Sequence, residues 1–178
     1  MVPLDLPPNI HLEFISEGKT LEAMLANDEL DALFATYIAN MFLNSSPKIA
    51  RLFPAFKEVE QDYYLRTGIF PIMHTIVIRD DVLAEDPGVA GSLLEVFSKA
   101  KDLVDEGFYD TDALALALPF LIDQIEETWR IFDSDYWSYG VDTNRPTLEA
   151  LAQYAVDQGF APRVVSVEEL FPLQSLSQ

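Results

Sequence analysis

The sequence contains no cysteine. Disulfides, thiolate nucleophiles, iron–sulfur clusters and cysteine-based zinc sites are therefore excluded. Histidine is nearly as scarce. His11 and His74 are the two present, and neither belongs to an H-E-x-x-H helix. His11-Leu-Glu13 matches half of a zinc-deaminase signature, but that signature needs cysteines as well. Neither a metal nor a cofactor is expected. The 7 glycines are never spaced as G-x-G-x-x-G or G-x-x-x-x-G-K, which removes the usual routes to nucleotide phosphates. Ser45-Ser-Pro-Lys48 fits the loose S-x-x-K pattern, yet that pattern needs a helix and Pro47 makes this a turn. No apolar run approaches the ~18–20 residues of a membrane helix. The stretch Met1-Val-Pro-Leu-Asp-Leu-Pro-Pro8 has no basic n-region and no apolar h-region. The expectation for the chain as written is a cytoplasmic protein. A periplasmic location stays open if the native N-terminus lies upstream.

Basic residues are few. Lys and Arg number 11 against 30 Asp and Glu, for a formal charge of −19. Such a surface repels phosphate backbones and anionic lipid, so no nucleic acid and no membrane is expected as a partner. A small anion can bind only where cations are focused. Apolar residues, at 49%, are too many for a disordered chain, and 178 residues suffice for one ordinary domain or two small lobes.

The patterning predicts a helix-rich α/β protein. Ile10–Ile15 alternates as a strand does, Ser16–Thr20 reads as a turn, and Leu21–Ala26 as a short helix with Leu21, Met24 and Leu25 on one face. Asp31–Ala35 is nearly all apolar, as in a strand covered on both faces. Together these read as one right-handed strand–helix–strand crossover. A short helix is expected near Ile49, and another from Phe56 to Leu65 that ends at Thr67-Gly68. Ile72–Ile78 has the most strand-like composition in the chain. Asp80–Ala84 reads as a helical turn. Pro87–Val104 reads as a helix with Leu93, Phe97, Ala100 and Val104 facing inward. Pro119 suits the first turn of a helix whose stripe is Leu121, Ile122, Ile125, Trp129 and Phe132. Thr147–Gln158 should be helical with Leu148, Leu151 and Ala155 facing in and Gly159 as its stop. Ser166-Val-Glu-Glu169 fits a capping box. Three strands are few for so many amphipathic helices.

Three polar constellations stand out. His74 is either a satisfied strand histidine or a titratable group presented into a cleft. Glu60-Gln-Asp-Tyr-Tyr-Leu-Arg66 is either a solvated helix face or a polar patch near a lobe boundary. Tyr139–Arg145 is either a loop leading into a capped helix or an arginine aimed at a ligand.

Several segments, in order, carry a more specific signal. They are Gly18–Leu25 followed by Glu29-Leu-Asp-Ala-Leu33; Arg51-Leu-Phe-Pro54 with Val59–Tyr64; Arg66–Arg79, which holds the His74 run, and the helix after it; Tyr139–Leu151; and Val167–Phe171. In these the chain resembles the 4,5-dihydroxyphthalate decarboxylase family, which is related to the two-lobed type II periplasmic-binding-protein fold. Members of that family are longer, and the resemblance takes in their C-terminal part. It implies that residues 1–68 form the later part of the second lobe and residues 69–178 the later part of the first. The N-terminal part of the first lobe would be missing.

The resemblance implies non-oxidative decarboxylation of an aromatic dicarboxylate. That chemistry protonates the ring carbon that bears the departing carboxylate, while a cation holds the spectator carboxylate. On that reading Arg66 anchors the carboxylate, His74 serves as acid or base, and Glu60 or Tyr63 handles the ring hydroxyls. The pocket is expected between Arg66, His74 and the Thr36–Tyr37 end of the first buried strand, with Arg145 as a further ligand contact. The same fold also serves anionic-solute binding without catalysis, and an inert truncated relative is a third reading. The ligand expected is small and aromatic or anionic. A homo-oligomer, most simply a dimer, is expected to cover the surface left open.

Overall fold

The computed structural model describes residues 6–110, 112, 116–133 and 135–172. The chain divides into two compact units, Met1–Glu60 and Gln61–Gln178.

In the first unit, α1 (Leu21–Ala26) has the bounds the pattern predicts. Thr20 caps it, its hydroxyl accepting from Ala23 N–H at 3.1 Å. The next helix, α2, is Asn40–Leu43 rather than a short helix near Ile49. Glu22 ties α1 to α2, its carboxylate accepting from Met41 N–H at 3.1 Å and Asn40 Nδ2 at 3.3 Å. Lys48 Nζ closes the following loop on the Ala26 carbonyl at 3.1 Å and Asp28 at 3.0 Å. α3 (Phe56–Thr67) begins in this unit and continues into the next. It stops where predicted. Gly68 N–H donates to Tyr64 C=O at 2.7 Å, and Gly68 takes φ +66°, a value that disfavours any residue with a Cβ.

The second unit continues with α4 (Asp80–Glu85), α5 (Val89–Gly107), α6 (Leu121–Phe132), α7 (Val141–Asp157) and α8 (Val167–Leu170). Among the described residues its buried ones are Ala90, Ile125, Leu148 and Val167, one from each of α5 to α8. An aromatic cluster adds to them. Tyr64 lies 4.2 Å from Phe132 between ring centroids, and Phe70 lies 5.2 Å from Phe132 and 5.9 Å from Trp137. α7 starts at Val141 instead of Thr147 and carries Pro146 within it. Asn144 Nδ2 supports the early start by donating to the Ser138 and Gly140 carbonyls at 3.0 and 2.9 Å. The capping box is present: Ser166 Oγ accepts from Glu169 N–H, and the Glu169 carboxylate accepts from Ser166 N–H.

The α/β expectation is wrong. Among the described residues every regular element is a helix and none is a strand. Ile10–Ile15, Asp31–Ala35 and Ile72–Ile78 form no ladder, so neither the strand–helix–strand crossover nor the sheet of a type II binding-protein fold is present. The run from 72 to 78 is open to solvent, with Ile76 61% and Val77 90% exposed. The cause is physical. β-branched composition makes a segment fit to pair, but the ladder needs a second strand beside it, and no local pattern supplies one. Helical periodicity has the same limit. Phe97, Ala100, Val104 and Leu151, expected to face inward, are exposed, because a period defines a face and not its partner. The α6 stripe fares better: Ile125 is buried and Leu121, Ile122, Trp129 and Phe132 are half-buried.

Candidate functional site

α3 presents three of the expected site residues. Glu60, Tyr63 and Arg66 lie within two turns of it. Arg66 Nε donates to Asp62 at 2.8 Å, an i,i+4 pair with both side chains mostly exposed. The acid stands N-terminal to the cation, the favourable order, but at this exposure the pair contributes little stability. It does occupy part of the guanidinium fork. The Tyr154 phenol, on α7, is raised above its ordinary value, first by its interaction with the Tyr63 phenol. The Tyr63 carbonyl accepts from Thr67 Oγ1 at 2.7 Å.

His74 lies exposed in the irregular run between α3 and α4, not in a buried strand. Thr36 and Tyr37 are exposed in the loop before α2. The rule that set a ligand beyond the carboxyl end of Asp31–Ala35 has no strand to act on. Arg145, on α7, is surrounded by acid. Its Nη1 is 2.9 Å from Glu168 and 3.7 Å from Glu149, and its Nη2 is 3.9 Å from Asp142. Hydrogen bonding to Glu168 raises its pKa further. Three carboxylates neutralise it, so Arg145 joins α7 to α8 and is a poor anion anchor. Within the second unit, no hydrogen bond or ion pair links Tyr63, Arg66, His74 and Arg145 to one another. Thr36, Tyr37 and Glu60 belong to the first unit.

A second polar cluster joins α5 to the loop before α7. The Tyr136 hydroxyl donates to Asp105 at 2.7 Å. Burial, and then this bond to a carboxylate, push the phenol up to about 12. Lys101 pairs with Asp135 and lies over the Tyr139 ring, 5.3 Å from its centroid. Its charge is fully engaged, so the cluster packs the loop rather than offering a free cation. Trp129 Nε1, on α6, is buried without an acceptor among the described residues, and its ring lies 5.2 Å from that of Tyr109.

The chain is 29% identical over 175 residues to the 4,5-dihydroxyphthalate decarboxylase of Comamonas testosteroni. The match takes in 98% of this chain and 53% of that protein, so the chain spans about half the length of the curated relative it matches. No protein-family model matches the chain. The similarity is distant and supports a family relationship, without carrying the activity across.

For general acid catalysis a carboxyl group must be raised towards neutrality. The carboxyl shifts resolved here, at Glu29, Asp81, Glu95, Glu168 and Glu169, are all downward. Among the described residues no three His, Asp or Glu side chains converge as metal ligands would, and no helix is long and apolar enough to cross a membrane. Sequence reasoning missed two residues. Tyr154 gave no signal, since its contact with Tyr63 spans distant segments. Arg51, over the rings of Phe42 and Phe56, was quoted only as part of a motif.

Proposed function

We propose that this chain supplies part of the site of a carboxy-lyase that acts on an aromatic dicarboxylate of the 4,5-dihydroxyphthalate type. The observation that carries this reading is the similarity to the Comamonas testosteroni decarboxylase along nearly the whole chain. The reaction is Ar–COO⁻ plus a proton giving Ar–H and CO2. A ring hydroxyl para to the reacting carbon pushes electron density onto it. The carbon takes the proton, the C–C bond breaks, and its electron pair returns to the ring. No electron acceptor is needed. The protein must hold the second carboxylate with a cation and deliver the proton. His74, the one histidine of the second unit, is our proton donor, and Tyr63 with its Tyr154 partner orients a ring hydroxyl.

A second reading is ligand binding without turnover. It is favoured by the separation of the groups, since no hydrogen bond or ion pair links His74 to Tyr63, Arg66 or Arg145. One experiment separates the two. Carboxyl-labelled 4,5-dihydroxyphthalate is incubated with the full chain, and labelled CO2 and ligand binding are followed in parallel. Labelled CO2 whose release falls in His74→Asn supports the carboxy-lyase. Saturable binding without CO2 supports the second reading, and the absence of both overturns the two together.

A further inference from the structure

Five of the arginines hold a carboxylate: Arg66 with Asp62, Arg79 with Asp81, Arg130 with Glu126, Arg145 with Glu168 and Arg163 with Glu169. Arg51 holds none among the described residues. Its guanidinium carbon instead lies over two aromatic faces, 4.8 Å from the centroid of Phe42 and 4.5 Å from that of Phe56. All three residues belong to the first unit. Phe42 comes from α2 and Phe56 opens α3, so the two helices hold one head group. Such contacts restrain a side chain that would otherwise lose much rotamer freedom on binding. A ring face attracts the cation without taking up its fork of N–H donors, which stays open to a planar anion.

The local sequence points the same way. Ala32 to Lys57 contains no Asp or Glu, and it carries Lys48, Arg51 and Lys57. In a chain of net charge −19, this is the stretch where an anion meets least repulsion. Lys48 is committed to Asp28 and the Ala26 carbonyl. Arg51 is the cation in the stretch fixed by rings rather than by an acid.

We propose that Arg51 is the carboxylate anchor of this chain, its fork closing on both oxygens of a small aromatic acid whose ring lies beside Phe42 and Phe56. The anion site stands on the geometry of Arg51. The choice of an aromatic acid rests on the carboxy-lyase reading above. Arg66, in the other unit, already shares its fork with Asp62.

The test is NMR on the full chain labelled with 15N-arginine, titrated with phthalate and with benzoate. The Arg51 Nε–H resonance should shift saturably with both. Arg51→Lys keeps the charge but not the fork, and should weaken binding about tenfold or more, with an unchanged circular dichroism spectrum. Arg130→Lys should stay within about twofold, because no step of the proposal uses it. Equal affinity in the parent, Arg51→Lys and Arg51→Gln would overturn the anchor and leave the carboxy-lyase reading standing. Binding at Arg51 with no CO2 from 4,5-dihydroxyphthalate would keep the anchor and sink that reading. No saturable shift with either acid at millimolar concentration overturns the anchor.

Discussion

Thr147 satisfies both backbone polar groups of Phe70. Its hydroxyl accepts from Phe70 N–H at 3.3 Å and donates to Phe70 C=O at 3.1 Å, across 77 residues of sequence. In a sheet a neighbouring strand meets these two groups. Here one hydroxyl on α7 does so, and it sets the Phe70 ring against Phe132 and Trp137. The irregular run that leads to His74 is thus tied to the second unit near its start and left open further on.

Thr147→Val keeps the shape and removes both bonds. It should lower stability by about 1–2 kcal/mol, since two backbone groups lose their partner. Thr147→Ser should recover most of that. Urea unfolding of the three proteins checks it. A loss in Thr147→Ser with none in Thr147→Val would assign the effect to the methyl group instead of the hydroxyl.

Phe132 is the ring shared by Tyr64 and Phe70. Phe132→Ala should cost about 2–3 kcal/mol, below a fully buried phenylalanine because the site is half-buried. The emission of Trp137, isolated in a Trp129→Phe background, should move to longer wavelength as the cluster opens. An unshifted emission maximum with unchanged stability would show that the cluster does not act as a unit.

Glu169 lies at about 2, held down first by hydrogen bonding to Arg163 and then by the Ser166 N–H. A depressed carboxyl stabilises the fold above its unfolded pKa, and that contribution is lost as pH falls through the folded value. The structure of α8 should therefore persist at pH 5 and weaken between about 4 and 2. Backbone amide shifts of residues 166–170 followed against pH test this, with Glu169→Gln as the control. A midpoint near 4.3, the ordinary glutamate value, would contradict the Arg163 contact.

Tyr136 is raised to about 12 by burial and by Asp105. A raised phenol stabilises the fold below the unfolded pKa of about 10, and this is lost as pH climbs through the folded value. Spectrophotometric titration near 295 nm should show one tyrosine ionising well after the exposed ones. Tyr136→Phe should remove that late component, and Asp105→Asn should shift it downward. A late component that survives in Tyr136→Phe would belong to another residue.

The candidate site was legible only in part. The Asp62–Arg66 spacing was readable as an i,i+4 pair, and it bears directly on how much of Arg66 is free for a ligand. The acid-free stretch around Arg51 was also open to reading. That Phe42 and Phe56 would both meet its guanidinium was not, because the three are separated by an irregular loop. Nor could the pattern show that Glu168, on another helix, would claim Arg145.

By itself the sequence determined what depends on residues a few positions apart. Thr20 starts α1, Gly68 ends α3, the α6 stripe turns Ile125 inward, and Ser166 with Glu169 begins α8. Caps and helical periods act within about one turn, so their chemistry is complete in a short window. The tertiary structure alone decided the fold class, which of the predicted faces are covered, and which arginine is left without a carboxylate among the described residues. Ile72–Ile78 carries strand chemistry yet forms no strand, because a ladder is made between segments and half of its hydrogen-bonding groups must come from elsewhere in space.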